Sequence, residues 1–250
     1  MNYIEYGEQN SAVIILLHGG GLSWWNYKEV AEMLQADYHV VLPILDGHAE
    51  SDRDFTTMED NAAEIIEFID RQFGGSVLLI GGLSLGGQIL LEILSRRKDI
   101  CRYAFIESAL VIPSKCTYSL IKPAFGSCYG LIRHKWFSRL QFKSLRIKQD
   151  FFEDYFRDTC GITKENMIAF LQENSLYSLK NSIRNCSAKV HIFVGENENS
   201  AMKRSAKKIH ETLQESVLHV LPKMYHGEFS INHAVDYVNE ILEIVGHSKT

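Results

Sequence analysis

The chain has 250 residues, 46% of them apolar and 23% charged, as expected for one globular domain without repeats or low-complexity tracts. Its formal net charge of −5 gives no electrostatic reason to expect nucleic acid or an anionic membrane as a partner. No apolar run approaches the roughly 20 residues a membrane span requires.

The chain opens on MNYIEYGEQNS, which lacks the basic-then-apolar order of a secretory signal, so a reducing cytoplasm is the expected compartment. Short β-branched apolar runs then alternate with longer helical patterns, the signature of βαβ units and a parallel sheet. Ala12–His18 (AVIILLH) reads as a buried strand and Tyr38–Leu42 (YHVVL) as the next, ended by Pro43. From Thr57 to Phe73, Met58, Ala62, Ile65, Ile66 and Ile69 recur at helical spacing, with Thr56-x-x-Glu59 as a capping box. Ser76–Gly81 reads as a strand, Ser84–Arg97 as a helix, and Cys101–Glu107 as a strand. Val190–Gly195 and Val217–Leu221 are the last strands, and Phe229–Val245 is a closing amphipathic helix.

Between Pro113 and about Ser187 the alternation stops. This stretch has helical patterns and many aromatics, among them Trp136, Phe142, Phe151, Phe152, Tyr155, Phe170 and Tyr177. It reads as a helical insertion over residues 113–187, dividing a core of residues 1–112 and 188–250. It is either a subdomain with its own small core or a lid over a pocket, and the two are compatible. Most of its aromatics are assigned to packing. The five cysteines are odd in number and contain no CxxC pair, so neither a zinc site nor a disulfide framework is suggested.

Gly82-Leu83-Ser84-Leu85-Gly86 fits G-x-S-x-G, and Gly87 follows. The pattern alone is weak. Its setting strengthens it, because an apolar strand runs into it and a helix pattern runs out, as a nucleophile on a sharp strand-to-helix turn requires. The turn brings chain segments nearly into contact, so the flanking positions must lack a Cβ. It also puts the Leu85 amide at a helix N-terminus, where it stabilises developing negative charge.

With His18-Gly19-Gly20-Gly21 after the first strand, Leu42-Pro43…Gly47-His48 after the second, and Tyr225-His226-Gly227 near the end, the sequence resembles the α/β-hydrolase superfamily, notably its compact lid-bearing esterases and lipases. The resemblance spans nearly the whole chain. It implies an α/β fold: a mostly parallel central sheet with helices on both faces, a helical lid inserted between two strands, and catalytic groups at the strand C-terminal ends. Only about ten residues precede Ala12, so the family's first strand is expected to be missing or very short.

The resemblance also implies the site. Ser84 is the nucleophile. His226, in the loop after the last strand, is the general base. The triad acid falls on Glu198 in Gly195-Glu196-Asn197-Glu198, a glutamate where aspartate is commoner; Glu107 at a strand end and Glu196 are the alternatives. The oxyanion donors are the amides of Leu85 and Gly20, with Gly21 as alternative to Gly20. Trp24 and Trp25 are divided between lining the pocket and core packing. Of the ten histidines, His18 and His48 read as structural, His191 and His219 fall inside strands, His233 in the last helix, and His39, His134, His210 and His247 lack comparable context.

The expected function is hydrolysis of a small or acyl-lipid-like carboxylic ester through an acyl-enzyme, with a small-molecule ester as partner. The chemistry requires no metal and no organic cofactor. Related chemistries on the fold, such as thioester or carbon–carbon bond hydrolysis, remain alternatives. So does a different class, a small-molecule receptor that keeps the triad and turns over slowly.

Overall fold

The apolar runs form the strands of one seven-stranded sheet in a computed structural model that describes residues 1–246. His247 lies outside the described residues. The strands are β1 (Tyr3–Tyr6), β2 (Val13–Leu17), β3 (His39–Pro43), β4 (Val77–Leu83), β5 (Cys101–Glu107), β6 (Lys189–Gly195) and β7 (Val217–Leu221). Their spatial order is β1-β3-β2-β4-β5-β6-β7. Only β1 is antiparallel, pairing Tyr3–Tyr6 with Pro43–Val40. The first family strand is therefore present but four residues long.

Strands buried on both faces explain why the runs are continuous rather than alternating. Ile14, Leu16, Val40 and Leu42 face α1 (Lys28–Leu34) and α10 (Ala234–Gly246), whereas Val13, Ile15, Leu17 and Val41 face α2 (Met58–Phe73), α3 (Leu85–Arg96) and α8 (Ser200–Thr212). The chain leaves β2 for β3 on one side and returns to β4 on the other. The loops after β2 and β4 thus diverge at a topological switch point, where open α/β sheets bind ligands.

Between β5 and β6 the chain forms α4 (Lys115–Cys128), α5 (Lys135–Leu145), α6 (Phe152–Gly161) and α7 (Lys164–Leu176). Phe142, Phe151, Phe152, Tyr155, Phe170 and Tyr177 are buried, while Trp136 is exposed. Several bonds tie this insertion to the sheet domain. Trp25 Nε1 donates to Asp158 Oδ2 at 2.8 Å, the Phe55 amide donates to Asn166 Oδ1 at 3.0 Å, and Lys180 Nζ lies 2.7 Å from both Glu59 and Glu92. Trp25 is fully buried against Phe151, so it belongs to packing.

Two local expectations need correction. The cap of α2 is shifted by one residue: Thr57 Oγ1 accepts from the Asp60 amide at 3.0 Å, while Thr56 Oγ1 donates to the Asp60 carboxylate. Asp60 is thus the acid three residues after the cap, and Glu59 faces Lys180. The closing helix is two helices, α9 (Glu228–Asn232) and α10. His233 lies at the break between them, because its φ of −118° and ψ of 47° leave the helical region. Among the described residues, no helix is long and apolar enough to cross a membrane.

Candidate active site

The turn from β4 into α3 sets Ser84 at φ 53° and ψ −108°, a positive φ that is rare outside glycine and marks a strained elbow. The glycines around it have a steric cause. A Cβ on Gly82 would strike the Gly86 carbonyl, and one on Gly86 would lie 2.7 Å from the His18 carbonyl oxygen and nearer still to that of Leu17. The elbow therefore presses against the end of β2, with the loop His18–Gly21 directly alongside.

Ser84, His226 and Glu198 converge across three strand ends. Ser84 Oγ lies 3.1 Å from His226 Nε2, and His226 Nδ1 lies 2.9 Å from Glu198 Oε2. The carboxylate is an acceptor, so Nδ1 donates and Nε2 is left to accept from the serine hydroxyl. The other carboxylate oxygen, Oε1, accepts from the Gly195 amide at 2.8 Å and from the Ser108 hydroxyl at 2.7 Å. Burial pushes the Glu198 carboxyl up, but the bond and charge of His226, with the Gly195 and Ser108 donors, outweigh it and hold the group below its ordinary range. Ser108 went unnoticed in the sequence. Its signal is slight: a lone serine just past a strand that ends beside the elbow strand.

Glu107 is close but differently engaged. It is buried, and its Oε1 accepts from the Ser230 amide at 3.4 Å. Burial raises its carboxyl to about 7, with Ser230 opposing and the nearby Glu198 charge adding to the rise. Its backbone carbonyl accepts from the Ser84 amide at 2.8 Å, so it supports the elbow through its main chain. Glu196 points elsewhere, accepting from the Lys223 amide at 2.8 Å. Among the described residues, the carboxylate hydrogen-bonded to His226 Nδ1 is that of Glu198.

The loop after β2 is held by side chains. His18 Nε2 accepts from the Leu45 amide at 3.1 Å and His48 Nε2 from the Gly21 amide at 3.0 Å. Burial keeps both imidazoles neutral, with His48 lowered to about 4. The Gly19 amide donates to Asn26 Oδ1 at 3.2 Å. Among the described residues nothing accepts from the Gly20 amide, whereas that of Gly21 is committed to His48. Gly20 also lies beside Leu85, since a Cβ built on it would be 3.4 Å from the Leu85 Cβ. As the first residue of α3, Leu85 has an amide that precedes the intrahelical ladder. Two free amides thus flank Ser84.

Next to this loop, Gly20, Gly21 and Leu22 form one wall of a cavity of about 140 Å³ whose other walls come from the insertion, including Tyr155, Met167 and Phe170. Phe170 stacks on His48 at 4.7 Å between ring centroids. A hydroxyl, a base, a carboxylate and two free amides beside a mostly apolar cavity suit attack on an acyl carbon.

A model of the "Alpha/beta hydrolase family" matches residues 14–240. A thermostable monoacylglycerol lipase from Bacillus sp. (strain H-257) is 30% identical over 115 residues, which are 44% of this chain and 45% of that protein. The matched segment is thus less than half of that curated relative's length. Among solved structures, an esterase from Exiguobacterium antarcticum matches with TM-score 0.82 at 15% identity, over 98% of this chain and 94% of that one. The enol-lactonase from Burkholderia xenovorans LB400 matches with TM-score 0.81 at 13% identity, over 98% and 96%. A thermophilic esterase from Thermogutta terrifontis matches with TM-score 0.78 at 17% identity, over 98% and 93%. At these identities the structural likeness is one of fold.

Proposed function

The chain belongs to the alpha/beta hydrolase family, and from that premise we propose that it is a serine hydrolase cleaving small or acyl-lipid-like carboxylic esters. The observation that carries this reading is the unbroken relay Glu198–His226–Ser84, with links of 2.9 and 3.1 Å.

In the proposed cycle, His226 Nε2 takes the Ser84 proton as Oγ attacks the ester carbonyl. The Leu85 and Gly20 amides hold the oxyanion. One such donor is typically worth roughly 3 kcal/mol of barrier. Glu198 keeps the imidazole in the Nδ1–H tautomer and stabilises the imidazolium. The imidazolium proton passes to the leaving alkoxide, and the C–O bond breaks to give an acyl-serine. Water, deprotonated by His226, then attacks the acyl carbon, releases the acid and restores Ser84.

The apolar cavity beside Gly20 supports an acyl group of modest size. Its volume of about 140 Å³ is close to the ~150 Å³ that accommodates benzene in an engineered core, or about six carbons. The partial likeness to a monoacylglycerol lipase points the same way. The insertion of residues 113–187 acts as a lid, because its aromatics roof the cavity.

Steady-state hydrolysis of p-nitrophenyl esters from acetate to laurate tests the proposal. Sustained turnover peaking at short to medium chains is expected, with Ser84→Ala at background. Undiminished turnover by Ser84→Ala overturns it, and a single slow turnover favours a receptor.

A further inference from the structure

Two histidines and one glutamate meet at the β6–β7 edge of the sheet, to the side of Ser84, where the hydrolytic reading gives them no role. His191 is the third residue of β6 and His219 the third of the edge strand β7. The register pairs His191 with Val217 and Phe193 with His219, so the two imidazoles lie on one face, one pleat apart. His191 Nδ1 is 3.2 Å from His219 Nε2. From α10, on the same face, Glu240 Oε1 lies 3.6 Å from His219 Nδ1. One ligating atom from each of the three residues falls within 4.8 Å of the others.

We propose that His191, His219 and Glu240 form a binding site for a divalent transition cation of the zinc class, which ties β6, β7 and α10 together. The donor spacing is the first argument. Two nitrogens bound at about 2.0–2.1 Å to a tetrahedral zinc lie roughly 3.3 Å apart, and His191 and His219 already present theirs at 3.2 Å. The second is the carboxylate. At 3.6 Å from Nδ1, the His219 nitrogen that does not face His191, it is too far for a good hydrogen bond, so its charge is placed to orient His219 as an outer partner of an ion held at Nε2, or to meet that ion directly within the 4.8 Å spread of the three donors. The third is pre-organisation. Phe193 stacks on the His219 ring at 4.6 Å, and the two imidazoles are stacked with 28° between planes.

Burial, the neighbouring His219 and Lys189 lower His191 to about 4, and burial lowers His219 against the raising charge of Glu240. All three residues are partly exposed, with His219 and Glu240 side chains at 26% and 29%, so an ion has an entry path and water can complete its sphere. Imidazole donors select zinc, nickel, cobalt or copper over magnesium and calcium, which prefer oxygen.

The test is thermal unfolding of the whole protein, stripped of metal, with ZnCl2 or MgCl2 added. Zinc at about ten times its Kd is expected to raise Tm by roughly 3–6 °C, and magnesium to leave it unchanged. His219→Gln is expected to abolish the zinc shift and Glu240→Gln to reduce it, with ester hydrolysis retained. Cobalt titration of the wild-type protein gives a readout independent of variant folding: visible d–d absorption saturating near one equivalent. Absence of a zinc shift, absence of the cobalt band, or a shift undiminished in Glu240→Gln and His219→Gln overturns the proposal.

Discussion

Replacing Glu198 by glutamine preserves the shape of the side chain and removes its charge. Its oxygens have fixed and unequal duties. Oε1 accepts from both the Gly195 amide and the Ser108 hydroxyl, and Oε2 accepts from His226 Nδ1. A glutamine must keep its single oxygen toward the two donors, so its NH2 turns to His226. The imidazole then accepts at Nδ1 and carries its proton on Nε2, facing Ser84 with a donor where the reaction needs an acceptor. The predicted loss in kcat is about 10⁴-fold, the size seen when a protease triad acid becomes an amide. That is about 5 kcal/mol of transition-state stabilisation. Glu107→Gln is the matched control. The Glu107 carboxyl is raised to about 7 and is largely protonated at pH 6, so an amide replaces a neutral acid, and kcat should stay within about tenfold. The assay is kcat for a short p-nitrophenyl ester at pH 6, with circular dichroism to verify folding. A folded Glu198→Gln that keeps a tenth or more of kcat, or a Glu107→Gln that loses as much as Glu198→Gln, refutes the reasoning.

Further outcomes follow from the same geometry. Gly86→Ala sets a Cβ against the Leu17 and His18 carbonyls; destabilisation of about 3 kcal/mol or more is expected in urea unfolding, and wild-type stability would contradict the packing described for the elbow. Glu107 binds a proton more tightly folded than at its ordinary value of 4.5. Its contribution to stability is therefore full below pH 4.5 and is lost as pH rises through about 7, by up to about 3 kcal/mol. Glu107→Gln should flatten that part of the pH–stability curve, and an unchanged slope refutes the assignment. Glu198 has the opposite sign: held below 4.5, its contribution is present above that value and disappears as acid carries the pH through its lower folded pKa. Phe170→Ala should enlarge the cavity beside Gly20, cost about 3–5 kcal/mol of stability, and raise kcat/KM for octanoyl over butanoyl esters roughly tenfold as added methylenes are buried. An unchanged chain-length preference would detach that cavity from the acyl group.

Much of this was legible in the sequence because strands buried on both faces are written as uninterrupted apolar runs. AVIILLH and SVLLIG place β2 and β4 within a residue or two. The elbow is legible because a strained turn requires glycine at fixed offsets from its serine. Positions set by tertiary contacts were not. Nothing local distinguishes Thr56 from Thr57 as a cap, or marks His233 as a helix break. Glu107 and Glu198 could be ranked only by likeness, since the choice depends on which carboxylate reaches His226 across the sheet. Ser108 and the pairing of His191 with His219 follow from strand register, which short apolar runs do not encode.

The most direct measurement of the central claim is intact-mass and peptide mapping after treatment with a fluorophosphonate. A single adduct on the peptide containing Ser84, absent in Ser84→Ala and slowed in a folded Glu198→Gln, is predicted. An adduct on another residue, or labelling that persists in Ser84→Ala, would contradict the assignment of Ser84 as nucleophile.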